Sequence, residues 1–300
     1  MRGVKSSNLA FARQLQFKKQ KRENNLRQIL LVGILFFTLS FKSYAQGYSF
    51  FNPTPPEKLK SMTTERPSKT SSSFTIDAGH MQIESTFYSL TKNNDKGVKT
   101  SSSEFGSTMF RLGLTESSEF SLVTSALIFE KTQSAELQRN VKAHGDTLLR
   151  MRYNFFGNNP DSGSSFAVIP YVKIPTNDKK IGNDYYEGGL KSQYDSKLND
   201  DYSISYLFEV MGIKKSDNSS YIPAFSNAFD FGKYLNSKAY LYVEIASFKS
   251  TEKRSSAKNN LDFGLIYQVT ANFTLDVVTN FGVSKAADDF NFITGGSYRF

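Results

Sequence analysis

Residues that could do chemistry are few in this chain of 300 residues, which has no cysteine and only two histidines. A zinc site built on His80 and His144 would need carboxylates beside both rings, and nothing in the sequence brings them together. A serine hydrolase would need a serine next to a positioned histidine, for which His80 is the only candidate. The sequence therefore indicates a protein that is not an enzyme and that carries no metal or cofactor.

The charged residues follow a pattern of a different kind. In many segments, ionised side chains alternate with aromatic or aliphatic ones, which is strand periodicity with one polar face. Arg150 and Arg152, for example, oppose Leu149, Met151 and Tyr153. Such residues could pair with one another and fill a narrow barrel, or line an aqueous path and set its selectivity. We take as candidate lumen-lining residues Glu84, Arg111, Asp146, Arg150, Arg152, Lys173, Glu209, Glu244, Asp262, Asp276 and Arg299.

Aromatic residues fall on both predicted faces. The inward-facing tyrosines include Tyr171, Tyr240 and Tyr242. They could line a route for a hydrophobic or aromatic solute, or they could fill space.

Twelve segments show this alternation, and each is about as long as a tilted strand that crosses a bilayer, ~9–11 residues plus its ends. The mean strand of a soluble protein is shorter, at ~5–6 residues. Short turns alternate with longer polar loops, as outer-membrane barrels are wired. A soluble sandwich with one solvated face shows similar alternation, but strand length favours a closed barrel. The segments are 79–91, 103–115, 119–130, 145–156, 164–175, 185–195, 201–213, 221–232, 237–249, 259–269, 272–284 and 290–300.

The N-terminal region has the features of a secretory leader. A basic stretch is followed by the apolar run Ile29–Phe41 and by small residues at Ser43 and Ala45, which predicts a signal peptide, residues 1–45, cleaved between Ala45 and Gln46. The run is shorter than the ~20 residues of a spanning helix; an uncleaved anchor is the alternative. Residues 46–73, rich in Pro, Ser, Thr and Lys, predict an extended or disordered periplasmic lead-in. The barrel then covers residues 74–300.

The net charge of +9 does not indicate nucleic-acid binding. Residues 1–45 hold nine Lys or Arg and one Glu, a net +8, which leaves about +1 for the rest. The charges of that remainder are dispersed, so they form no basic stripe.

The chain ends in "NFITGGSYRF", residues 291–300, which alternates like a strand to its last residue. The segment resembles the C-terminal signal read by the barrel-assembly machinery. That signal has a final aromatic residue (here Phe300), another aromatic residue two positions earlier (Tyr298) and a glycine upstream (Gly295). The resemblance implies the assembly machinery as a partner.

Four local motifs resemble one bacterial family. They are "TTERPSKTSSSFTIDAGHMQIESTFYS" (63–89), "FRLGLTESSEFSLVTS" (110–125), "GDTLLRMRYNFF" (145–156) and "VIPYVKIPT" (168–176). The first contains Thr64–Pro67 as a T-[DE]-R-P motif, followed by Gly79, Gln82 and Glu84. The family is that of the outer-membrane barrel transporters assigned to the MetA pathway of phenol degradation. The resemblance implies a barrel in the outer membrane of a Gram-negative cell, surrounded by lipid.

These observations together predict a channel for the passive passage of small solutes, hydrophobic or aromatic ones among them. The alternative is a structural or adhesive barrel whose outer loops, especially residues 131–144 and 250–260, bind a partner.

Overall fold

The computed structural model describes residues 47–125, 127–161, 163–178 and 181–300. The predicted signal peptide and its cleavage site between Ala45 and Gln46 lie outside these residues. In the described part of the chain, fifteen strands form one antiparallel sheet. They are β1 (Met81–Asp95), β2 (Val98–Phe105), β3 (Thr108–Thr115), β4 (Ser118–Thr124), β5 (Leu127–Gln133), β6 (Gln138–His144), β7 (Thr147–Phe156), β8 (Ser164–Ile174), β9 (Glu187–Lys197), β10 (Tyr202–Lys214), β11 (Tyr221–Tyr234), β12 (Ala239–Ser250), β13 (Lys258–Thr270), β14 (Phe273–Gly282) and β15 (Phe290–Arg299).

The sheet closes because its first and last strands pair. β1 and β15 are neighbours from Gln82 opposite Arg299 to Lys92 opposite Phe290. Around the ring the order is β1, β3, β4 and then β7 to β15, which makes twelve strands. The structure confirms the predicted all-β, antiparallel up-and-down barrel and its strand number. Within the described residues, no helix is long and apolar enough to cross a membrane.

Three strands continue the wall beyond one rim. β2 pairs with the end of β1, β5 pairs with β2, and β6 pairs with β5. We call the end of β1 and these three strands the sheet extension. The sequence predicts a connection between the segments 79–91 and 103–115 and an outer loop at residues 131–144. Both predictions are wrong in extent, because most of these two ranges is paired strand. The β1–β2 turn has positive φ at Lys96 (49°) and Gly97 (86°), as a two-residue type I′ hairpin requires.

The two rims of the barrel differ. The short-turn rim carries the connections 116–117, 157–163, 198–201, 235–238 and 271–272, together with the start of β1 and the end of β15. The long-loop rim carries the connections 175–186, 215–220, 251–257 and 283–289 and the sheet extension.

Alternation along each strand gives the wall an apolar outside and a polar inside. In β12, Leu241, Val243 and Ile245 are exposed, whereas Tyr242 and Glu244 are buried. Buried residues in the described part are mostly polar or charged, and exposed ones include many Phe, Tyr and Leu side chains. A water-soluble protein shows the opposite distribution, whereas an apolar outer band is typical of a membrane barrel.

The chain turns sharply just before it enters β1. Gly79 has φ +78°, and a Cβ at this position would lie 2.7 Å from the Cβ of Pro53. A left-handed backbone with no room for a side chain requires glycine. This corner sends the preceding residues to the interior face of the wall.

Candidate functional site in the barrel lumen

Residues 60–78, which we call the lumen segment, lie inside the barrel. Their backbone amides donate to the carboxylates of Glu84 on β1, Glu119 on β4 and Glu244 on β12. Because β4 and β12 lie on opposite sides of the ring, one short segment can reach both only from inside. The lumen segment includes half of the range 46–73, for which the sequence predicts a periplasmic lead-in. It is extended, and it lies among inward-facing side chains.

Side chains of the wall replace the sheet partners that this extended segment lacks. A buried backbone amide must find an acceptor. The amides of Lys69 and Thr70 donate to the two oxygens of Glu244 at 2.8 and 2.7 Å. The amides of Glu65 and Arg66 share Glu84 Oε2 at 3.0 and 3.2 Å. Hydrogen bonds to charged acceptors are about twice as strong as neutral ones, so the wall holds the segment firmly.

The middle of the segment is bound through small residues. The Ser71 amide donates to Gln193 Oε1 at 3.2 Å, and the Ser73 amide donates to Asp195 Oδ2 at 2.6 Å. In return, Arg111 and Arg152 each donate to the carbonyl oxygen of Phe74 at 3.0 Å. The run "TSSS" (70–73) has no bulky side chain to keep these wall groups away from the backbone.

One side of the lumen holds a charge-balanced cluster. Arg111 pairs with Glu84 and with Glu119, each at 2.8 Å. The guanidinium of Arg152 pairs with Glu119 at 2.7 Å and also with Glu65 of the lumen segment. The cluster is completed by Arg150, which pairs with Glu65 at 2.6 Å. Since buried charges are tolerated only when they are paired and hydrogen-bonded, the wall and the segment neutralise each other here.

The opposite side of the lumen is acidic. Asp230, Glu244 and Asp262 lie directly opposite one another on β11, β12 and β13, an arrangement in which like charges repel. The lumen segment supplies the counter-charges. Lys69 pairs with Asp262, and Arg66 pairs with Asp276 on β14 at 3.0 Å.

Three further predicted residues lie near the rims. At the long-loop rim, Lys173 pairs with Asp146 at 3.1 Å and with Glu187 at 2.8 Å. At the short-turn rim, Arg299 pairs with Asp77 of the lumen segment at 3.4 Å. Its guanidinium also donates to the carbonyl oxygen of Lys60 at 2.7 Å.

Lys60 fixes the start of the lumen segment. Its ammonium donates to the carbonyl oxygen of Thr75 at 2.9 Å and lies 3.8 Å from a carboxylate oxygen of Asp77. Burial lowers the pKa of the Lys60 ammonium, and the charge of Asp77 opposes that shift.

Glu209 differs from the other predicted carboxylates. It is buried on β10 opposite Lys191 of β9, and among the described residues no hydrogen bond joins it to the lumen segment. Tyr171 on β8 faces inward, and a Cβ at Gly189 of β9 would lie 3.0 Å from its hydroxyl oxygen. Tyr240 and Tyr242 also face inward; each ring lies over a glycine of the next strand, Gly232 and Gly264 respectively.

The three residues predicted as an assembly signal lie in β15 and at its end. Tyr298 and Phe300 are exposed on the outer face, with their rings 4.8 Å apart. The Phe300 amide donates to the carbonyl oxygen of Met81, which continues the β1–β15 pairing to the last residue. Gly295 is buried, and a Cβ at this position would meet the guanidinium of Arg66 and the carbonyl oxygen of Ser85. Its lack of a side chain makes room for the lumen segment.

The two histidines lie at opposite rims. The ring nitrogens of His80 lie 3.0 Å from the carbonyl oxygen of Phe300 and 2.7 Å from that of Thr54. The His144 amide donates to Asp178 at 3.2 Å. In the part of the chain that the structure describes, no His, Asp and Glu side chains are grouped to hold a metal ion.

The lumen segment separates two cavities. A cavity of about 220 Å³ lies on the short-turn side, beside the turn 235–238, and one of about 230 Å³ lies on the long-loop side, beside Val123 and Ile293. Both are lined by the same four residues of the segment, Arg66, Ser68, Thr70 and Ser71. A solute that moves from one cavity to the other must therefore pass the segment.

Sequence reasoning missed the lumen segment and its charged residues Glu65, Arg66 and Lys69. Alternation identifies residues on strands, and these three precede the first strand. A usable signal was present, because the T-[DE]-R-P motif places two charged residues in an otherwise small and polar stretch.

Comparison with known proteins fits this architecture. The family model described as "Putative MetA-pathway of phenol degradation" matches residues 64–300. The chain belongs to this family. Comparison with curated protein sequences gives no significant match.

Solved structures share the fold. The chain is similar to the COG4313 outer membrane channel from Pseudomonas putida F1, with 11% identity, a TM-score of 0.61, and coverage of 82% of this chain and 100% of that one. Weaker similarities are to the NanC porin (9% identity, TM-score 0.45, 73% and 98% coverage) and the KdgM porin (10%, 0.46, 73% and 99%). The first of these establishes a common barrel fold.

The motifs of the MetA-pathway family meet in the lumen. Glu65 comes from the first motif and Glu84 from the strand that follows it, while Arg111 and Glu119 come from the second motif; all four belong to the charge-balanced cluster. Gly113 lies between Arg111 and Glu119 in sequence, and a Cβ there would meet the carbonyl oxygen of Asp77. In this member, the motif residues hold the lumen segment against the wall.

Proposed function

We propose that this member of the MetA-pathway family is a channel in the outer membrane of a Gram-negative cell. Small solutes pass through it passively, without chemical change. The observation that carries the proposal is a charged lumen inside an apolar wall, with a cavity on each side of the lumen segment. The long-loop rim then faces outward and the short-turn rim faces the periplasm, as in other barrels of this type.

The lumen segment acts as the gate in this proposal. It is bound to wall side chains by hydrogen bonds and ion pairs, and it is not a strand of the sheet. It can therefore leave the wall without breaking the barrel. Its docked position separates the two cavities. Passage therefore requires the segment to undock, at least around Arg66–Ser71.

The lining of the cavities favours solutes that carry a polar group. The short-turn cavity combines Tyr234, Tyr240 and Tyr242 with Asp195 and Asp230. Aromatic rings can stack on the tyrosines, whereas a solute without any polar group would leave these polar groups desolvated and unpaired. We therefore propose small solutes with a polar group, aromatic ones included.

Conductance in planar bilayers and solute-dependent swelling of liposomes test the channel. We expect discrete openings from the purified, heat-modifiable barrel. A folded barrel that gives neither conductance nor swelling would reject the proposal.

A cysteine tether tests the gate. The chain has no cysteine, so the double variant Ser71→Cys, Gln193→Cys can be joined by a short thiol cross-linker without side reactions. These two residues are already connected by a hydrogen bond of 3.2 Å. Cross-linking is expected to suppress openings, and reduction of a cleavable linker is expected to restore them. Each single-cysteine variant is the matched control, and equal conductance with and without the tether contradicts the gate.

One observation favours partner binding as a second function. The β5–β6 hairpin projects beyond the long-loop rim, and in the described residues β6 pairs only with β5. A free strand edge can accept a strand from another chain. If the barrel is adhesive, replacing residues 131–141 by a short turn abolishes partner binding and leaves permeability unchanged.

A further inference from the structure

The long-loop cavity contains a lysine that forms no ion pair in the described residues. Lys191 of β9 lines this cavity and is partly buried. In the described residues its ammonium makes no ion pair. Glu209 is its register partner on β10, but the two side chains do not form a salt bridge. Lys191 is therefore the positive group of this cavity that remains available to a solute.

A second basic side chain of the same cavity is only partly used. Arg150 is more than nine-tenths buried. It donates to Glu65 at 2.6 Å and to the thioether of Met109 at 3.3 Å. Sulfur of this kind is a weak acceptor. The Nε of Arg150 has no acceptor among the described residues, so this guanidinium retains hydrogen-bonding capacity in a buried position.

The carboxylates that line the cavity are already occupied. Glu65 accepts from Arg150 and Arg152, and Glu84 accepts from Arg111 and from two backbone amides. The two lining cations from the lumen segment are likewise neutralised, since Arg66 pairs with Asp276 and Lys69 with Asp262. In the described residues, Lys191 is thus the lining cation that forms no ion pair.

We propose that the long-loop cavity is a binding site for a small organic monocarboxylate, with its carboxylate on Lys191 and beside Arg150. A single ammonium group that forms no ion pair suits a monovalent anion. The lining also includes Met109, Val123 and Ile293, which fit an apolar tail. The volume of about 230 Å³ has room for a small organic molecule.

This binding site rests on the proposed channel and specifies the class of solute that it takes. The binding site and the channel can be refuted separately. Binding is measured on the detergent-solubilised barrel by calorimetry, with pentanoate as the probe and the uncharged pentanamide as its isostere. Permeation is measured in bilayers. Binding without permeation would support the site and reject the channel. Permeation without binding would support the channel and reject the site.

Lys191→Gln removes the ammonium group that would bind the carboxylate. We expect pentanoate to bind the unmodified protein more tightly than pentanamide, and the variant to bind pentanoate at least about tenfold more weakly. Lys191→Arg should retain binding. Lys249→Gln is the matched control, because Lys249 lies on the outer face of β12.

Three results would overturn the proposal. They are equal binding of pentanoate and pentanamide, unchanged pentanoate binding by a folded Lys191→Gln variant, and binding of chloride or phosphate as tight as that of pentanoate. Heat-dependent gel migration establishes that each variant is folded.

Discussion

The hydrogen bonds that Glu244 accepts from the lumen segment allow a direct test of gating. Its two carboxylate oxygens accept the amides of Lys69 and Thr70 at 2.8 and 2.7 Å. Glu244→Gln keeps the shape and one acceptor oxygen, but it removes the charge and turns an NH₂ group toward an amide that needs an acceptor. Lys69 keeps its pairing with Asp262, so the loss is confined to the backbone contacts.

The magnitude follows from hydrogen bonds to charged groups, which contribute about 1.5–3 kcal/mol each. Losing one such bond shifts the docked–undocked equilibrium by roughly 10- to 100-fold. In single-channel recordings, the ratio of open to closed time should rise by about that factor, with the conductance of the open state nearly unchanged.

Glu209→Gln is the matched control, since Glu209 is also a buried inward-facing carboxylate but in the described residues makes no hydrogen bond to the lumen segment. It should leave the open fraction near that of the unmodified protein. If Glu244→Gln inserts as a folded barrel and opens no more often than Glu209→Gln, the segment is not the gate.

Three further outcomes are expected. Arg111→Leu leaves Glu84 and Glu119 without their main partner and should destabilise the barrel by about 3–5 kcal/mol, measured as a lower urea midpoint in detergent; an unchanged midpoint would contradict the importance of the cluster. Gly295→Ala places a methyl group against Arg66 and should raise the open fraction while membrane yield is kept; a loss of yield would instead support an assembly role. Deleting Phe300 removes the exposed terminal ring and the hydrogen bond from its amide to the carbonyl oxygen of Met81. The deletion should lower the fraction of protein inserted in the membrane more than shortening the β5–β6 hairpin does. Normal insertion of that truncation would count against the assembly signal.

The barrel was predictable because lipid imposes a strict period of two on every strand. Leu241, Val243 and Ile245 had to face outward, and Glu244 therefore had to face inward. The sheet extension was not predictable in this way. Beyond the membrane both faces of a strand can be polar, so residues 131–144 lose the alternation although they keep their pairing.

The side of the sheet on which a residue lies follows from the local sequence, whereas its contacts with distant residues do not. Periodicity placed Glu84 and Arg111 on inward faces, but it could not show that they meet. The most informative contact, Arg66 with Asp276, joins residues 210 positions apart. One of its members lies on no strand, so neither periodicity nor spacing could place it.

The row of acidic residues on β11, β12 and β13 also explains how the segment can be docked and still act as a gate. Asp230, Glu244 and Asp262 face one another across three adjacent strands, and this arrangement is costly when dry because Coulomb repulsion grows as the local dielectric falls. With the segment docked, Lys69 pairs with Asp262 and two backbone amides donate to Glu244, which offsets part of the repulsion. When the segment leaves, water replaces it and screens the same charges. The repulsion among the three carboxylates is thus reduced in both the docked and the undocked state. Loss of a single hydrogen bond can therefore shift the equilibrium between these two states.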